Sequence, residues 1–162
     1  MSFNELTPRG TADFPIELYC IDKNHTRYEM ASHWHSEIEI IRILSGNLQI
    51  KLNNTEYLAK KGDIIFINSE TIHGALPKDC KYDCLVFHPE FLECNDLSCK
   101  FFIENIINHE YLINEFFSSD KKQIIDAVNN IFDEMNNKSS GYKFSVIGAL
   151  YKLLGIIVDN HF

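Results

Sequence analysis

The stretch from 33 to 39 reads His-Trp-His-Ser-Glu-Ile-Glu and leads into an apolar run that ends at Gly46. Side chains alternate between the two sides of a β-strand, so His33, His35 and Glu39 are expected on one face. The opposite face is also apolar, which predicts a strand that is covered on both sides. The sequence therefore predicts that two imidazoles and a carboxylate converge in the interior of the protein.

Short β-favouring segments precede and follow this strand, with turn residues between them. They are predicted at 16–22, 27–30, 48–52, 55–59, 64–67, 71–77 and 82–87. Turns are predicted at Gly46-Asn47, at Asn53-Asn54 and at 61–63. Many short strands without helices between them indicate an antiparallel sandwich or barrel.

Beyond about residue 90 the apolar spacing becomes helical, with segments at 101–107, 124–135 and 141–162. Asp120 and Gln123 form a predicted capping box before the second helix. The third helix carries two apolar stripes: Phe144, Ile147, Tyr151, Leu154 and Val158 on one side, and Val146, Leu150, Leu153 and Ile157 on a second. One stripe is sufficient for docking on the barrel, so we expect the other to meet another subunit or domain. The alternative is a helix buried entirely within its own fold.

The composition limits the class of protein. A chain of 162 residues fits one domain, which we divide into an arm at 1–15, a barrel at 16–90 and a helical segment at 91–162. The net charge of −8 and the absence of a basic stripe argue against direct DNA binding. Five cysteines in a chain without an export signal argue against a disulfide framework, and no apolar run is long enough to cross a bilayer. We therefore expect a cytoplasmic protein with no membrane partner.

With these residues in place, the chain resembles the cupin superfamily, whose fold is a double-stranded β-helix or jelly-roll barrel. The first cupin motif is matched by His33, His35, Glu39 and Gly46, and the second by Gly62 and His73. The chain departs from these motifs at three positions. Asn68 and Glu70 stand where a proline and a glycine are expected, and Arg27 stands where a glycine precedes the first histidine.

The chain resembles more closely the N-terminal sensor domains of AraC-type transcriptional regulators. The resemblance lies in the arm Arg9-Gly10-Thr11 with Phe14-Pro15, in the His-Trp-His strand and in the helical tail. It implies a cupin barrel that binds a small effector such as a sugar, an arm that helps to cover it, and a homodimer formed through the C-terminal helices. It also implies that DNA is bound only by a helix-turn-helix domain absent from this chain. We expect the natural protein to continue past Phe162, the alternative being a stand-alone protein.

The resemblance also implies a set of site residues. His33, His35, Glu39 and His73 would hold a divalent metal, and their nitrogen and oxygen donors suit Zn, Ni, Fe(II) or Mn. The alternative is a metal-free pocket in which these side chains hydrogen-bond the effector. Alternation along the strand also puts Glu37 on the same face as Glu39, so Glu37 is assigned to the same ligand pocket, and it is the only additional candidate for an acid or base. The sequence contains no recognisable nucleophile with an adjacent base, so we expect a non-enzymic sensor; the alternative is a stand-alone metal-dependent cupin enzyme, of the dioxygenase or sugar isomerase type.

Overall fold

The computed structural model describes residues 2–93 and 95–162, so Cys94 lies outside the described residues. The strands are β1 (Phe3–Asn4), β2 (Ile16–Ile21), β3 (Met30–Trp34), β4 (Ile38–Leu52), β5 (Thr55–Lys60), β6 (Ile64–Ile67), β7 (His73–Phe87) and β8 (Phe116–Phe117). The helices are α1 (Leu97–Ile107), α2 (Lys122–Asn137) and α3 (Tyr142–Asn160), with a single 3-10 turn at Pro89–Leu92 before them. This mainly β domain with C-terminal helices confirms the predicted fold class.

Two long strands, β4 and β7, connect two layers of sheet. Residues 38–43 of β4 pair with 82–87 of β7, whereas 47–52 pair with 73–78. The first half of β4 also pairs with β6, and its second half with β5. On β7, the outer partners are β3 at one end and β2 at the other. The two layers therefore face each other across one interior, as in a jelly-roll barrel.

Four strand predictions need correction. The stretch predicted as one strand from His33 onward is two strands, because β3 ends at Trp34 and β4 begins at Ile38. Gly46-Asn47 does not reverse the chain, because β4 continues through it with register shifts on either side of Ser45. Gly46 has a φ of +69° and faces Asp79, whose φ is +47°, so these residues bend two paired strands at a bulge. For the same reason the strands predicted at 71–77 and 82–87 are one strand, β7. The strand predicted at 27–30 begins only at Met30, after turns.

Alternation along β4 divides the apolar residues between two cores. Ile41 and Ile43 lie in the barrel interior, and Ile38 and Ile40 pack on the opposite side, in the core shared with the helices. Both faces of β4 are therefore covered, as the sequence predicts. The strand that carries the candidate site is thus held on one side by the barrel and on the other by the helices.

The helices pack on the outer face of the sheet, against the side of β4 that carries Ile38 and Ile40. Arg42 of β4 links α2 to the sheet, since its Nε donates to Asp83 of β7 at 3.0 Å and its Nη1 donates to Asp133 of α2 at 3.2 Å.

The predicted capping box of α2 is wrong. Lys121 is the N-cap residue and makes no side-chain cap bond, and Asp120 accepts instead from the Ser118 hydroxyl. The described residues contain no helix that is long and apolar enough to span a membrane.

The two stripes of α3 have different environments. Val146, Leu150, Leu153 and Ile157 are buried in the helical core. On the second stripe, Phe144 is 85% exposed and Val158 is 41% exposed. Ile147, Tyr151 and Leu154 between them are half-buried. The helix is therefore not enclosed within this chain, and one apolar stripe faces outward.

Candidate metal centre

Three histidines meet inside the barrel near the start of β7. His33 lies on β3, His35 follows that strand, and His73 begins β7 directly opposite His33. One ring nitrogen from each lies within 4.8 Å of the others, and all three residues are buried. The ring centroids of His33 and His73 are 4.2 Å apart, and those of His35 and His73 are 5.0 Å apart. The two strand positions that the sequence separates by 40 residues therefore form one cluster.

Each histidine is oriented by a backbone carbonyl. Nδ1 of His33 is 2.8 Å from the carbonyl oxygen of Ala31, and Nδ1 of His73 is 2.8 Å from that of Thr71. Nδ1 of His35 is 3.1 Å from the carbonyl oxygen of Glu37. A carbonyl only accepts, so each Nδ1 carries a proton, and Nε2 is the ring nitrogen left to face the cluster. Such backbone anchoring is how metal-binding imidazoles are usually held.

Glu39 completes the cluster from β4. Its Oε2 is 3.3 Å from Nε2 of His35 and 3.5 Å from Nε2 of His73. Burial opposes the ionisation of Glu39, but the close approach of the His35 and His73 imidazoles outweighs it and holds the pKa of Glu39 well below the usual range. Burial likewise opposes a charge on His73, but the facing Glu39 raises its pKa.

This arrangement is matched to a cation. An anionic carboxylate that faces imidazole lone pairs is stable only if a proton or a metal ion lies between them. Nε2 of His73 is buried and has no hydrogen-bond partner among the described residues. The donor set of three imidazole nitrogens and one carboxylate oxygen suits a divalent transition metal. The residues therefore fit the metal that the sequence resemblance implies.

A cavity of about 540 Å³ opens beside the cluster. Its wall includes His33 and Glu39 together with Phe3, Arg9 and Tyr19. A volume of this size is sufficient for a small organic molecule. The predicted pocket residue Glu37 lies behind His35, with Oε2 3.6 Å from Nδ1, on the opposite side of the ring from Glu39.

The sequence reasoning missed the site residues of the arm. Glu5 places Oε2 3.6 Å from Nε2 of His33. Arg9 is only 7% exposed and donates to Glu5 and, at 2.7 Å, to the Tyr19 hydroxyl. Phe14, which is buried, fixes the end of the arm. The sequence does show a pair of opposite charges in the arm, Glu5 and Arg9. Their position beside the site depends on the pairing of β1 with β3, which the local sequence does not predict.

The departures from the second cupin motif have structural explanations. Glu70 adopts a φ of +60°, a conformation that glycine reaches without strain, so the backbone geometry of the expected glycine is kept. The amide of Asn68 forms two bonds with the backbone of Ile113, donating at 2.8 Å and accepting at 3.0 Å. Asn68 therefore ties the loop that precedes His73 to the segment after α1.

The fold and the site define a cupin-type ligand-binding barrel. The family of AraC-like ligand binding domains matches residues 15–154 of this chain. The chain therefore belongs to the family of AraC-like ligand binding domains, and the resemblance seen in the sequence is confirmed.

A relative from Bacillus subtilis (strain 168), named as the uncharacterized HTH-type transcriptional regulator YdeC, is 30% identical over 168 residues. The alignment covers 99% of this chain and 57% of that relative. The chain thus spans little more than half the length of this curated relative. The family and the relative place the chain among the ligand-binding domains of AraC-type transcriptional regulators.

Solved structures that match part of this chain include an RmlC-like cupin from Shewanella frigidimarina NCIMB 400, with a TM-score of 0.37 and 18% identity. That match covers 45% of this chain and 63% of the cupin. KdgF from Halomonas sp. matches with a TM-score of 0.39 and 20% identity, over 50% of this chain and 71% of KdgF.

Proposed function

We propose that this chain is the effector-sensing and dimerisation domain of an AraC-type transcriptional regulator, and that it binds a small molecule at a metal ion inside the barrel. The observation that carries the proposal is the convergence of three imidazoles and the Glu39 carboxylate beside a cavity that the arm helps to enclose. The site is buried and its imidazoles are already oriented, so binding requires little rearrangement.

His33, His35, His73 and Glu39 would hold the metal, with Zn, Ni, Fe(II) and Mn as the candidates. When bound, the ion would supply a Lewis-acidic centre for an oxygen or nitrogen atom of the effector. The cavity wall combines aromatic rings, as on Phe3 and Tyr19, with charged groups. This mixture is suited to a small polar molecule such as a sugar, the effector class that the resemblance implies.

The side chains beside the cluster favour binding over covalent catalysis. Burial, together with the charge of Glu39, raises the pKa of the Cys84 thiol well above its usual range. Burial also raises the pKa of the Tyr82 hydroxyl, which donates to the carbonyl oxygen of Tyr28 at 2.8 Å. Both groups therefore remain protonated near neutral pH, and neither is an activated nucleophile.

Metal analysis of the purified chain tests the sensing half of the proposal. After exposure to each of the four ions and dialysis, elemental analysis is expected to find one ion per chain for at least one metal. The bound ion should raise the melting temperature, because a ligand that binds only the folded state stabilises it by about 2.7 kcal/mol at a concentration 100 times its Kd. Retention of none of the four ions would contradict the metal centre.

The exposed apolar stripe of α3 supports the proposal that the chain forms a dimer. Phe144 and Val158 leave large apolar surfaces exposed at the two ends of the stripe. Gly148 and Gly155 lie between them, and a Cβ built on either would meet no atom within 4 Å. An apolar stripe with open glycines allows a second α3 to approach closely, so we propose a symmetric helix pair between two copies of the chain.

Phe144→Asp is expected to convert this dimer to a monomer, because a charge placed within an apolar contact must lose its hydration. Sedimentation velocity measures the change. Ser145→Asp is the matched control: the residue is exposed, lies one position further along the same helix, and is rotated by about 100° from the stripe. A wild-type monomer, or a Phe144→Asp variant that remains dimeric, would contradict the helix pair.

DNA binding is proposed for a part of the protein outside this chain. The relative is named as an HTH-type regulator, and 57% of its length is covered here. The net charge of −8 does not favour contact with phosphates. In this proposal the chain senses the effector and pairs two subunits, and a separate helix-turn-helix domain reads the DNA.

A further inference from the structure

We propose that Glu5 of the N-terminal arm is a further ligand of the metal, so that metal binding and docking of the arm on the barrel are coupled. The inference rests on the metal centre of the proposed function and extends it to the arm. It assigns a binding role to a residue that lies outside both cupin motifs.

Backbone pairing positions Glu5 beside the site. The short strand β1 runs parallel to β3, with Phe3 opposite His33, and the Glu5 amide donates to the carbonyl oxygen of Trp34 at 2.9 Å. The Phe3 ring stacks on the His33 ring with centroids 5.7 Å apart. These contacts place Oε2 of Glu5 3.6 Å from Nε2 of His33.

Nε2 is the nitrogen of His33 that remains free for a metal, because Nδ1 donates to Ala31. Among the residues that the structure describes, Glu5 and Glu39 are the carboxylates within 4.0 Å of an Nε2 atom of the three histidines. They approach the cluster from different elements, Glu39 from β4 and Glu5 from the arm.

Charge balance supports a second carboxylate. Three neutral imidazoles and Glu39 offset only one of the two charges of a divalent ion, and an uncompensated buried charge is costly. Glu5 can supply the second negative charge. Its Oε1 accepts from Nη1 of Arg27 at 2.7 Å, and its Oε2, the atom nearest His33, also accepts from Nη2 of Arg9. A carboxylate oxygen has two lone pairs, so Oε2 can keep its bond to Arg9 with one and contact the metal with the other.

Coupling follows from this geometry. The arm cannot leave the barrel without withdrawing Glu5 from the site, so a metal that binds Glu5 must hold the arm down. By thermodynamic linkage, the factor by which the docked arm strengthens metal binding equals the factor by which the metal strengthens arm docking. Arg9 is only 7% exposed with the arm docked, so its accessibility can report on docking.

Zinc titration calorimetry on the whole chain tests the ligand role. Glu5→Gln keeps the size and hydrogen-bonding capacity of the side chain and removes its charge. It is expected to weaken zinc binding by at least about tenfold. Asp13→Asn is the matched control, since it removes one exposed negative charge from the same arm. It should change the affinity by no more than about twofold. Circular dichroism verifies that both variants are folded.

Trypsin cleavage after Arg9 provides a readout of the arm itself. Cleavage requires the arm to lift, so zinc is expected to slow the release of residues 1–9 from the wild-type chain by about tenfold. It should have little effect on that cleavage in Glu5→Gln.

The outcomes separate the two proposals. Equal zinc affinity in wild type and Glu5→Gln, or equal protection of the arm by zinc in both, would overturn the role of Glu5 and leave the histidine site intact. A wild-type chain that binds none of zinc, nickel, iron(II) or manganese would overturn the metal centre and, with it, this inference.

Discussion

His73→Gln is expected to lower the affinity of the barrel for its metal by about 100-fold or more. The substitution removes the one Nε2 of the cluster that is buried without a hydrogen-bond partner among the described residues. Loss of a residue that merely orients a metal ligand typically costs 10 to 100-fold in affinity, so loss of a ligand should reach at least the upper end of that range. Titration calorimetry with the metal retained by the wild-type chain measures the change.

The matched control is His109→Gln. His109 lies outside the cluster, and its half-exposed ring is 3.4 Å from Glu70. This variant should bind the metal with wild-type affinity. If His73→Gln also binds with that affinity, His73 is not a ligand, and the metal, if present, is held elsewhere.

Gly46→Ala is expected to destabilise the fold by about 3 kcal/mol or more, an effect typical of strain at a special backbone conformation combined with overpacking. Gly46 has a φ of +69°, and a Cβ there would lie 2.1 Å from the carbonyl oxygen of Asp79. That oxygen belongs to the paired strand β7, so the clash cannot be relieved by moving a flexible side chain. Either β4 or β7 must shift at the bend that both strands share.

Urea denaturation followed by circular dichroism measures the loss of stability. Ser45→Ala is the control, because Ser45 is the exposed neighbour of Gly46 within the same bulge. It should remain within about 0.5 kcal/mol of wild type. A Gly46→Ala variant as stable as the control would show that the bend of β4 tolerates a side chain, and the account of the two layers would need revision.

Local patterns predicted much of this fold. The two-residue alternation of the β4 segment placed Glu39, Ile41 and Ile43 on the inner side and Ile38 and Ile40 on the outer side, as the structure has them. Helical spacing located all three helices, since an amphipathic period needs no knowledge of distant residues.

The errors arose where local signals have two interpretations. A glycine at positive φ serves a hairpin turn and a bulge equally well, so Gly46-Asn47 was predicted to reverse the chain, whereas the structure only bends it. The spacing of Asp120 and Gln123 fits a capping box, but Asp120 accepts from Ser118 instead. The Asp120 carboxylate could accept from a backbone N–H of the first helical turn or from the Ser118 hydroxyl, and residue spacing alone does not determine which.

The candidate site was predictable in part. His33, His35, Glu39 and His73 occur at motif spacing, and the structure brings them together. Glu37 was assigned to the pocket by alternation, but alternation holds only within a strand, and Glu37 lies in the turn between β3 and β4. Its role in ligand binding stays a prediction.

The contribution of the arm could not be predicted, because it depends on β1, which pairs with β3 through only two residues. So short a strand has no sequence period, and its register is set by contacts such as that of Phe3 with His33.

Crystals of the metal-loaded chain would test the central claim most directly through anomalous scattering at the zinc absorption edge. We predict one strong peak in the barrel, at about 2.0–2.1 Å from Nε2 of each of the three histidines and about 2.0–2.2 Å from an oxygen of Glu39. A zinc peak found only on the protein surface, with the histidine cluster free of anomalous signal, would contradict it.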